Sequence, residues 1–434
     1  QRVPQGWMLV YRVWDALPFT NASSARWLAV LFGAAMVVAV AAIASTLRSP
    51  RDGVLAAWAL ALASSAPVIE GYTANGEVLT MGLSLPALAL IVQVVNGRRN
   101  STWLMVAGLL GGAAVTLKQS AFDVTAAFGV WSLIMLITRR RPIRTVVTQL
   151  VLYVGGLAVV LGASVLHGTR LGWDRYWYAI AGFRLGARSA VSNTEWWRLG
   201  LSILVAVPAL GTLVAVIVIG LRGARLRSAL RRPHWLLLAL WSGFVFAGFA
   251  SGGNFHRHYF LLLAGPLALA AGLAADAAFD RPRLQRAVRL TGAVAVVAAV
   301  PFVVVPRFTL GSEPYDNQAI AAWIDDVREA DGAATLYAFC ASAAIYVELD
   351  TTPPYPYLWA DHVRMADGAQ QLLADYLTGP DAPDFVARFQ DDDSKCDVDG
   401  LALGALTANY EPLGRIGHVD ILRRSDVPVP SVLP

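Results

Sequence analysis

Between Arg26 and Pro306 the sequence runs through a succession of apolar stretches, most of them close to the ~20 residues that a helix needs to cross the hydrocarbon core of a bilayer. Inside that core there is no water to satisfy a backbone N–H or C=O, so such stretches are helices or they are not there at all. Spans are expected near 26–46, 54–70, 77–97, 102–118, 121–138, 145–167, 199–221, 234–251, 258–276 and 288–307. Composition agrees. Only 15% of the residues are charged, where a soluble domain carries about 25%, too few to coat a globule of this length. The fold class expected is a multi-pass α-helical membrane protein with about ten transmembrane helices.

The arginines give the chain its sidedness. Arg48 and Arg51 follow the first span, Arg98 and Arg99 the third, and Arg139, Arg140, Arg141 and Arg144 the fifth. Arg222, Arg225, Arg227, Arg231 and Arg232 follow the seventh, and Arg281, Arg283, Arg286 and Arg289 the ninth. All of these connections lie on one side, which the positive-inside rule makes cytoplasmic. A net charge of +5 is therefore a topology signal, and nucleic acid is not an expected partner. The protein is expected in the plasma (inner) membrane, with both ends of this chain and the even-numbered connections facing outward.

Beyond about residue 310 the apolar runs shorten and charge density rises. A membrane domain over 1–310 and a small extracytoplasmic α/β domain over 311–434 are expected. Gln318 to Ala330 and Asp361 to Leu377 read as helices; Ala334 to Phe339, a second strand and turn after it, Asp384 to Phe389 and Ile416 to Arg423 read as strands. Pro353-Pro354-Tyr355-Pro356-Tyr357-Leu358-Trp359 suits either a surface facing carbohydrate or the membrane domain, or an ordinary proline-rich loop. Cys340 and Cys396 could pair if this domain faces an oxidising compartment. Asp391, Asp392 and Asp393 read as a solvated loop.

Polar residues collect in the outward connections. After the second span come Glu70, Tyr72, Asn75 and Glu77. Glu77 at a helix start reads either as a dipole partner in the first turn or as a general base for an incoming hydroxyl. After the fourth span comes Lys118, one of only two lysines in the chain, followed by Gln119. It reads either as a side chain reaching to the interface or as a cation for a phosphate. Residues 168–198 carry Trp173, Trp177, Trp196 and Trp197, which suit an interfacial belt. The same stretch holds Arg170, Arg175, Arg184, Arg188 and Arg198 on the face where arginine is not expected, and an anionic ligand would account for them. After the eighth span come His256, Arg257, His258 and Tyr259, a cationic group with Gly252 and Gly253 beside it. Two histidines at this spacing could ligate a metal, but a phosphate contact suits the arginine between them.

At these connections the sequence resembles the GT-C membrane glycosyltransferases, in the bacterial branch related to protein O-mannosyltransferases and to the enzymes that add aminoarabinose to lipid A. The likeness covers most of residues 1–275. Arg2-Val3-Pro4-Gln5-Gly6-Trp7 is similar to the family's Lys-Pro-Pro stretch leading into a juxtamembrane helix, with Val3 at the lysine and Gln5 at the second proline. Glu77 falls at an acidic residue starting a luminal helix, and Lys118 at a lysine after the next hairpin. His258-Tyr259 followed by Pro266 resembles the family's Arg/His-Tyr-Leu-Leu-Pro-x-x-Pro helix start. The family's catalytic acid lies in the first outer loop, which this alignment puts upstream of Gln1; Asp15 is the one acid nearby, and an upstream segment is expected.

The resemblance implies an inverting transfer of a sugar from a polyprenyl-phosphate donor to a glycan, glycolipid or protein acceptor of the cell envelope. Glu77 and Glu70 are the expected catalytic carboxylates. Lys118, Arg184, Arg188, His256, Arg257 and His258 are expected at the donor phosphate, and Tyr72, Asn75, Gln119 and Tyr259 at the substrate. No cofactor is required in this reading, which leaves room for a divalent metal. Membrane lipids are the remaining partners. The alternatives are a transporter or flippase of a lipid-linked glycan and a non-catalytic assembly partner.

Overall fold

The computed structural model describes residues 5–17, 26–66, 69–182, 233–251, 255–279, 313–339, 344–357, 360–389 and 397–434, with scattered positions from 199 to 218 and at 286 and 293. The chain divides into two compact units, one holding the described residues before 304 and the other those after it.

The first unit is helical throughout. α1 (Gln5–Asp15) precedes α2 (Arg26–Leu47), α3 (Pro50–Ser64), α4 (Gly76–Val95), α5 (Trp103–Leu117), α6 (Asp123–Thr138) and α7 (Ile143–Leu171). The short α8 (Trp173–Trp177) follows, then α9 (Pro233–Ser251) and α10 (Phe260–Phe279). Among the described residues five helices are long and apolar enough to cross a membrane, at Arg26–Leu47, Gly76–Val95, Ile143–Leu171, Pro233–Ala250 and Arg257–Ala274. α5 and α6 are apolar but shorter. α3 starts and stops earlier than the expected 54–70: Ser49 accepts the N–H of Asp52 and Pro50 opens the helix, fixing its start at the chain's first opportunity. The span expected near 199–221 is described only in part, at scattered helical positions, and the one near 288–307 lies almost entirely outside the described residues.

Lipid cannot drive helices together by the hydrophobic effect, so close approach falls to small residues. α5 and α7 show this. Gly108 and Gly156 let the two backbones meet, since a Cβ built at Gly156 would lie 2.0 Å from the Met105 carbonyl and one at Gly108 2.0 Å from that of Tyr153. α4 lies at the centre, with Leu79, Leu85, Leu88, Ile91 and Val92 fully buried. At the arginine-bearing ends, Arg141 donates to the orphan Val95 carbonyl at the C-terminus of α4, and Arg48 donates to the Leu273 carbonyl of α10.

The second unit is a four-stranded sheet in the order β1-β2-β4-β3, formed by β1 (Leu336–Phe339), β2 (Phe385–Phe389), β3 (Tyr410–Ile416) and β4 (Val419–Arg424). β1 and β2 are parallel, with Tyr337 opposite Val386, and the other pairs antiparallel, with Ala387 opposite Ile421. α11 (Glu313–Asp331) covers one face, where Ile320, Trp323 and Ile324 meet Leu336, Phe385 and Ile421. α12 (Ile345–Glu348), α13 (Ala360–Met365) and α14 (Ala369–Thr378) lie in the β1–β2 crossover, whose described residues hold no second strand, and the helix expected over 361–377 is broken at Gly368, φ +69; α15 (Leu401–Asn409) leads into β3. Residues alternate along β1, so Tyr337 and Phe339 enter a second core with Leu373, Leu377 and Leu406.

That second core corrects the surface reading of the Pro-Tyr run. Tyr355 is fully buried, donates to the Ala369 carbonyl at 2.6 Å, and meets the rings of Tyr337, Tyr376 and Tyr357. The prolines fix the backbone so that a tyrosine can turn inward and still find an acceptor for its hydroxyl. Cys340, Cys396, Leu358, Trp359 and Asp391 to Asp393 lie outside the described residues.

Candidate functional site

Three connections on the arginine-poor side meet. The α3–α4 connection brings Glu70 and Glu77, the end of α5 brings Lys118, and the single turn before α10 brings His258 and Tyr259.

The first of these is shaped by its own polar side chains. Glu70 adopts a left-handed backbone, φ +54, which costs an L residue of order 1 kcal/mol. Its carbonyl offsets that strain by accepting from the Thr73 N–H at 3.1 Å, the Thr73 hydroxyl at 2.7 Å and Asn75 Nδ2 at 3.2 Å. Asn75 is the N-cap of α4, its Oδ1 accepting from the Val78 N–H at 3.0 Å. The side chain expected to touch substrate is thus committed to the turn. Capping by Asn75 frees Glu77, in the first turn, for another partner. α1 braces the connection from outside: Tyr11 donates to the Ala74 carbonyl at 2.8 Å.

Glu77 is almost completely buried, its side chain 2% exposed, and its Oε1 is ion-paired with Lys118 Nζ. Its other oxygen lies 3.6 Å from His258 Nε2. His258 Nδ1 lies 3.2 Å from Glu70 Oε2, so one imidazole bridges both carboxylates. The Lys118 ammonium also sits 4.3 Å over the Tyr259 ring, a cation–π contact. His256 stacks on His258 with centroids 5.4 Å apart, and its neighbour Arg257 is exposed. Tyr72 lies within the electrostatic reach of Glu70, Arg26 and Arg257; burial, seconded by the Glu70 charge, pushes its phenol up.

Lys118 also lines a small cavity of about 30 Å³ whose wall is mostly apolar, Met81, Phe244 and Leu262 among it, with Thr80, Ser84, Ser120 and Asp123 as polar members, room for a water or two. Asp123 Oδ2 accepts from Trp241 Nε1 at 2.8 Å. Gln119, expected at the substrate, buries its Oε1 without a hydrogen-bond partner among the described residues. Neither Asp123 nor Trp241 stands out in the sequence; Asp123 reads as an ordinary helix start, and Trp241 sits inside an apolar run with nothing to mark it. Arg184 and Arg188 lie outside the described residues. Among the described residues no group of three or more His, Cys, Asp or Glu side chains is arranged to hold a metal ion.

Chemically, the arrangement is an amino group and an imidazole backed by two carboxylates. Lysine carries three donors and no acceptor, and Lys118 is held by both Glu77 and the Tyr259 ring. A buried carboxylate behind Lys118 and His258 aims them, while Glu70, with about a third of its side chain exposed, is the carboxylate open to solvent.

No protein-family model matches the chain, and no curated protein matches it. Solved structures do. ArnT from Cupriavidus metallidurans, bound to undecaprenyl phosphate, is 16% identical with a TM-score of 0.66, the match covering 97% of this chain and 87% of that one. The archaeal oligosaccharyltransferase AglB from Archaeoglobus fulgidus, in complex with an inhibitory peptide and a dolichol-phosphate, is 13% identical with a TM-score of 0.53, covering 99% of this chain and 67% of that one. At these identities the likeness is one of fold. The chain has the GT-C membrane fold that its outer connections resemble in sequence.

Proposed function

We propose that this chain is a glycosyltransferase that moves a sugar from a polyprenyl-phosphate-linked donor to a cell-envelope acceptor on the outer side of the plasma membrane. The observation that carries the reading is the Lys118–Glu77–His258–Glu70 cluster, built from three connections on the arginine-poor side of a fold that in ArnT binds undecaprenyl phosphate.

In the proposed reaction an acceptor oxygen attacks the anomeric carbon from the face opposite the phosphate. The carbon–oxygen bond to phosphate breaks, its electron pair stays on the phosphate oxygen, and the configuration inverts. Lys118, His258 and Arg257 carry the charge that gathers on the departing phosphate. Glu77 holds Lys118 and His258 in place before the donor arrives, so they need not be reorganised during the reaction. Glu70, the more open carboxylate, receives the acceptor's proton in this reading. Tyr72 and Tyr259 supply walls against which a sugar ring can lie. No step is assigned to a metal. The second unit is read as extracytoplasmic, and the acceptor as a glycan, glycolipid or protein.

The test uses membranes containing the protein and polyprenyl phosphates carrying labelled mannose, arabinose, galactose or glucose, with and without a chelator. One donor is expected to lose its label to an acceptor. Lys118→Ala is expected to slow the transfer ~100-fold, as removal of one charge-stabilising donor does elsewhere, and Glu77→Gln to slow it as well. Label that stays on every donor, or transfer unchanged in both variants, defeats the proposal.

A further inference from the structure

A second concentration of charge lies at the opposite ends of the same helices. The α4–α5 connection carries Arg98 and Arg99, the α6–α7 connection carries Arg139, Arg140 and Arg141, and Arg144 sits in the first turn of α7; neither connection holds an Asp or Glu. The two connections adjoin, because Arg141 donates to the Val95 carbonyl at the end of α4. Arg141 also lies 5.5 Å over the Trp131 ring, and Arg99 lies 4.3 Å over Trp103 and donates to Gln93. All of these partners are neutral. Among the described residues none of the six arginines forms an ion pair.

Topology alone does not demand this. The positive-inside rule asks for an excess of basic residues, not for the exclusion of acids. The α2–α3 connection keeps its excess while Asp52 stands 3.9 Å from Arg48. Six guanidinium groups in two adjoining turns repel one another unless an anion is supplied from outside the chain. Arg139 adds to the peculiarity by ending α6 in the left-handed region, φ +51, a conformation that L side chains disfavour. It and Arg140 are exposed.

The flanks of the turn say what kind of anion fits. Below it, Leu133 and Ile137 of α6 and Ile143 and Val147 of α7 are exposed, Ile137 at 72% and Ile143 at 53%. Exposed apolar side chains on both helices next to an exposed arginine turn match a molecule with hydrocarbon beside a phosphate. Arginine binds phosphate oxygens in pairs and is the side chain suited to that geometry.

We propose that the turn Arg139–Arg141, with the adjoining Arg98 and Arg144, is a binding site for the phosphodiester headgroup of an anionic phospholipid of the cytoplasmic leaflet, its acyl chains lying along Ile137 and Ile143. The site is independent of the transfer chemistry on the other face.

The test is made on the full chain in nanodiscs and by native mass spectrometry after extraction. Phosphatidylglycerol and phosphatidylcholine are compared, with inorganic phosphate as a separate arm. The variant is Arg139→Gln/Arg140→Gln, which leaves Arg141 and its bond to Val95 in place; Arg231→Gln/Arg232→Gln removes the same charge from another arginine-rich connection. Wild-type protein is expected to retain phosphatidylglycerol over phosphatidylcholine. The first variant is expected to bind it about thirtyfold more weakly, because two guanidinium groups no longer meet the headgroup. The second variant is expected to keep the preference. Equal retention of the two lipids, equal weakening in both variants, or displacement of the lipid by millimolar inorganic phosphate would each overturn the proposal.

Discussion

Replacing Lys118 with alanine strands the Glu77 carboxylate. With its side chain 2% exposed, Glu77 is left with the His258 imidazole, Nε2 at 3.6 Å, as its remaining neighbour from the cluster. Breaking a buried ion pair from one side costs about 3–5 kcal/mol, because an uncompensated charge stays behind. The residual histidine and the 20% exposure of Lys118 set the expectation near the lower end, about 3 kcal/mol. Glu77→Gln removes the buried charge and leaves a lysine that can reach water, at a cost of about 1 kcal/mol. Once the carboxylate is gone the lysine has nothing to neutralise. The double variant is therefore expected to lose about 1.5 kcal/mol rather than the 4 kcal/mol of simple addition, a coupling of about 2.5 kcal/mol. Reversible denaturant unfolding in mixed micelles at pH 7, followed by tryptophan fluorescence and far-UV circular dichroism, measures all four proteins. If the single costs add to within about 0.5 kcal/mol, Lys118 and Glu77 are not energetically coupled and the positioning role argued for Glu77 has no basis.

Two further outcomes are expected. Gly156→Ala should destabilise by about 3 kcal/mol, because a Cβ there meets the Met105 carbonyl at 2.0 Å and the α5 and α7 backbones must part; Gly155→Ala, with nothing within 4 Å, is the control and should change little in the same unfolding assay. In the second unit, the Ser431 hydroxyl and its N–H, the latter at 2.7 Å, donate to Asp331 and hold its carboxyl below the usual value of 3.8. A carboxyl with a depressed folded pKa favours the folded arrangement above the unfolded pKa and loses that preference as pH falls through the folded one. The Asp331–Ser431 contact is thus intact at neutral pH and opens only as the pH falls through a value below 3.8, and a carboxyl-carbon NMR titration of aspartate-labelled protein should move toward 3.8 in Ser431→Ala.

How much can be read from the chain differs between its parts. The helices from Arg26 to Leu171 and from Pro233 to Phe279 are legible because lipid requires a long apolar run wherever a helix crosses it, and apolar length alone misleads at α3, where the Ser49-Pro50 cap moves the start. In the second unit β1, β2 and β4 fall where alternation places them, but β3 and α15 carry no such signal. Leu401–Asn409 is a short apolar run with a glycine, Gly400, at its N-cap, its Leu403 N–H taken from outside the helix by Asp397 Oδ2 at 2.6 Å, and β3 contains Pro412 and Gly414, so only pairing with β4 makes it a strand. Tyr355 escapes the sequence for a related reason: a proline-rich run signals rigidity, and the direction a rigid segment faces depends on what it packs against.

At the candidate site the division is sharper. Counting spans puts the connections holding Glu70, Glu77, Lys118 and His258 on one face, since each crossing reverses the chain and the arginines mark the other side. That follows from the sequence by itself, because membrane thickness and charge are properties a linear pattern records. Which of these residues meet was decided elsewhere. Lys118 lies 41 positions from Glu77 and His258 lies 188 from Glu70, and no local preference spans such intervals. Their meeting depends on helix rotation and spacing, set by glycines such as Gly108 and Gly156 that admit a neighbouring backbone, and by Asn75, which takes the cap and releases Glu77 inward. The sequence determined the side of the membrane on which the polar groups gather; the packing of helices decided that a lysine, a histidine and two glutamates share one point there, because contact is a property of three-dimensional spacing that order along the chain does not contain.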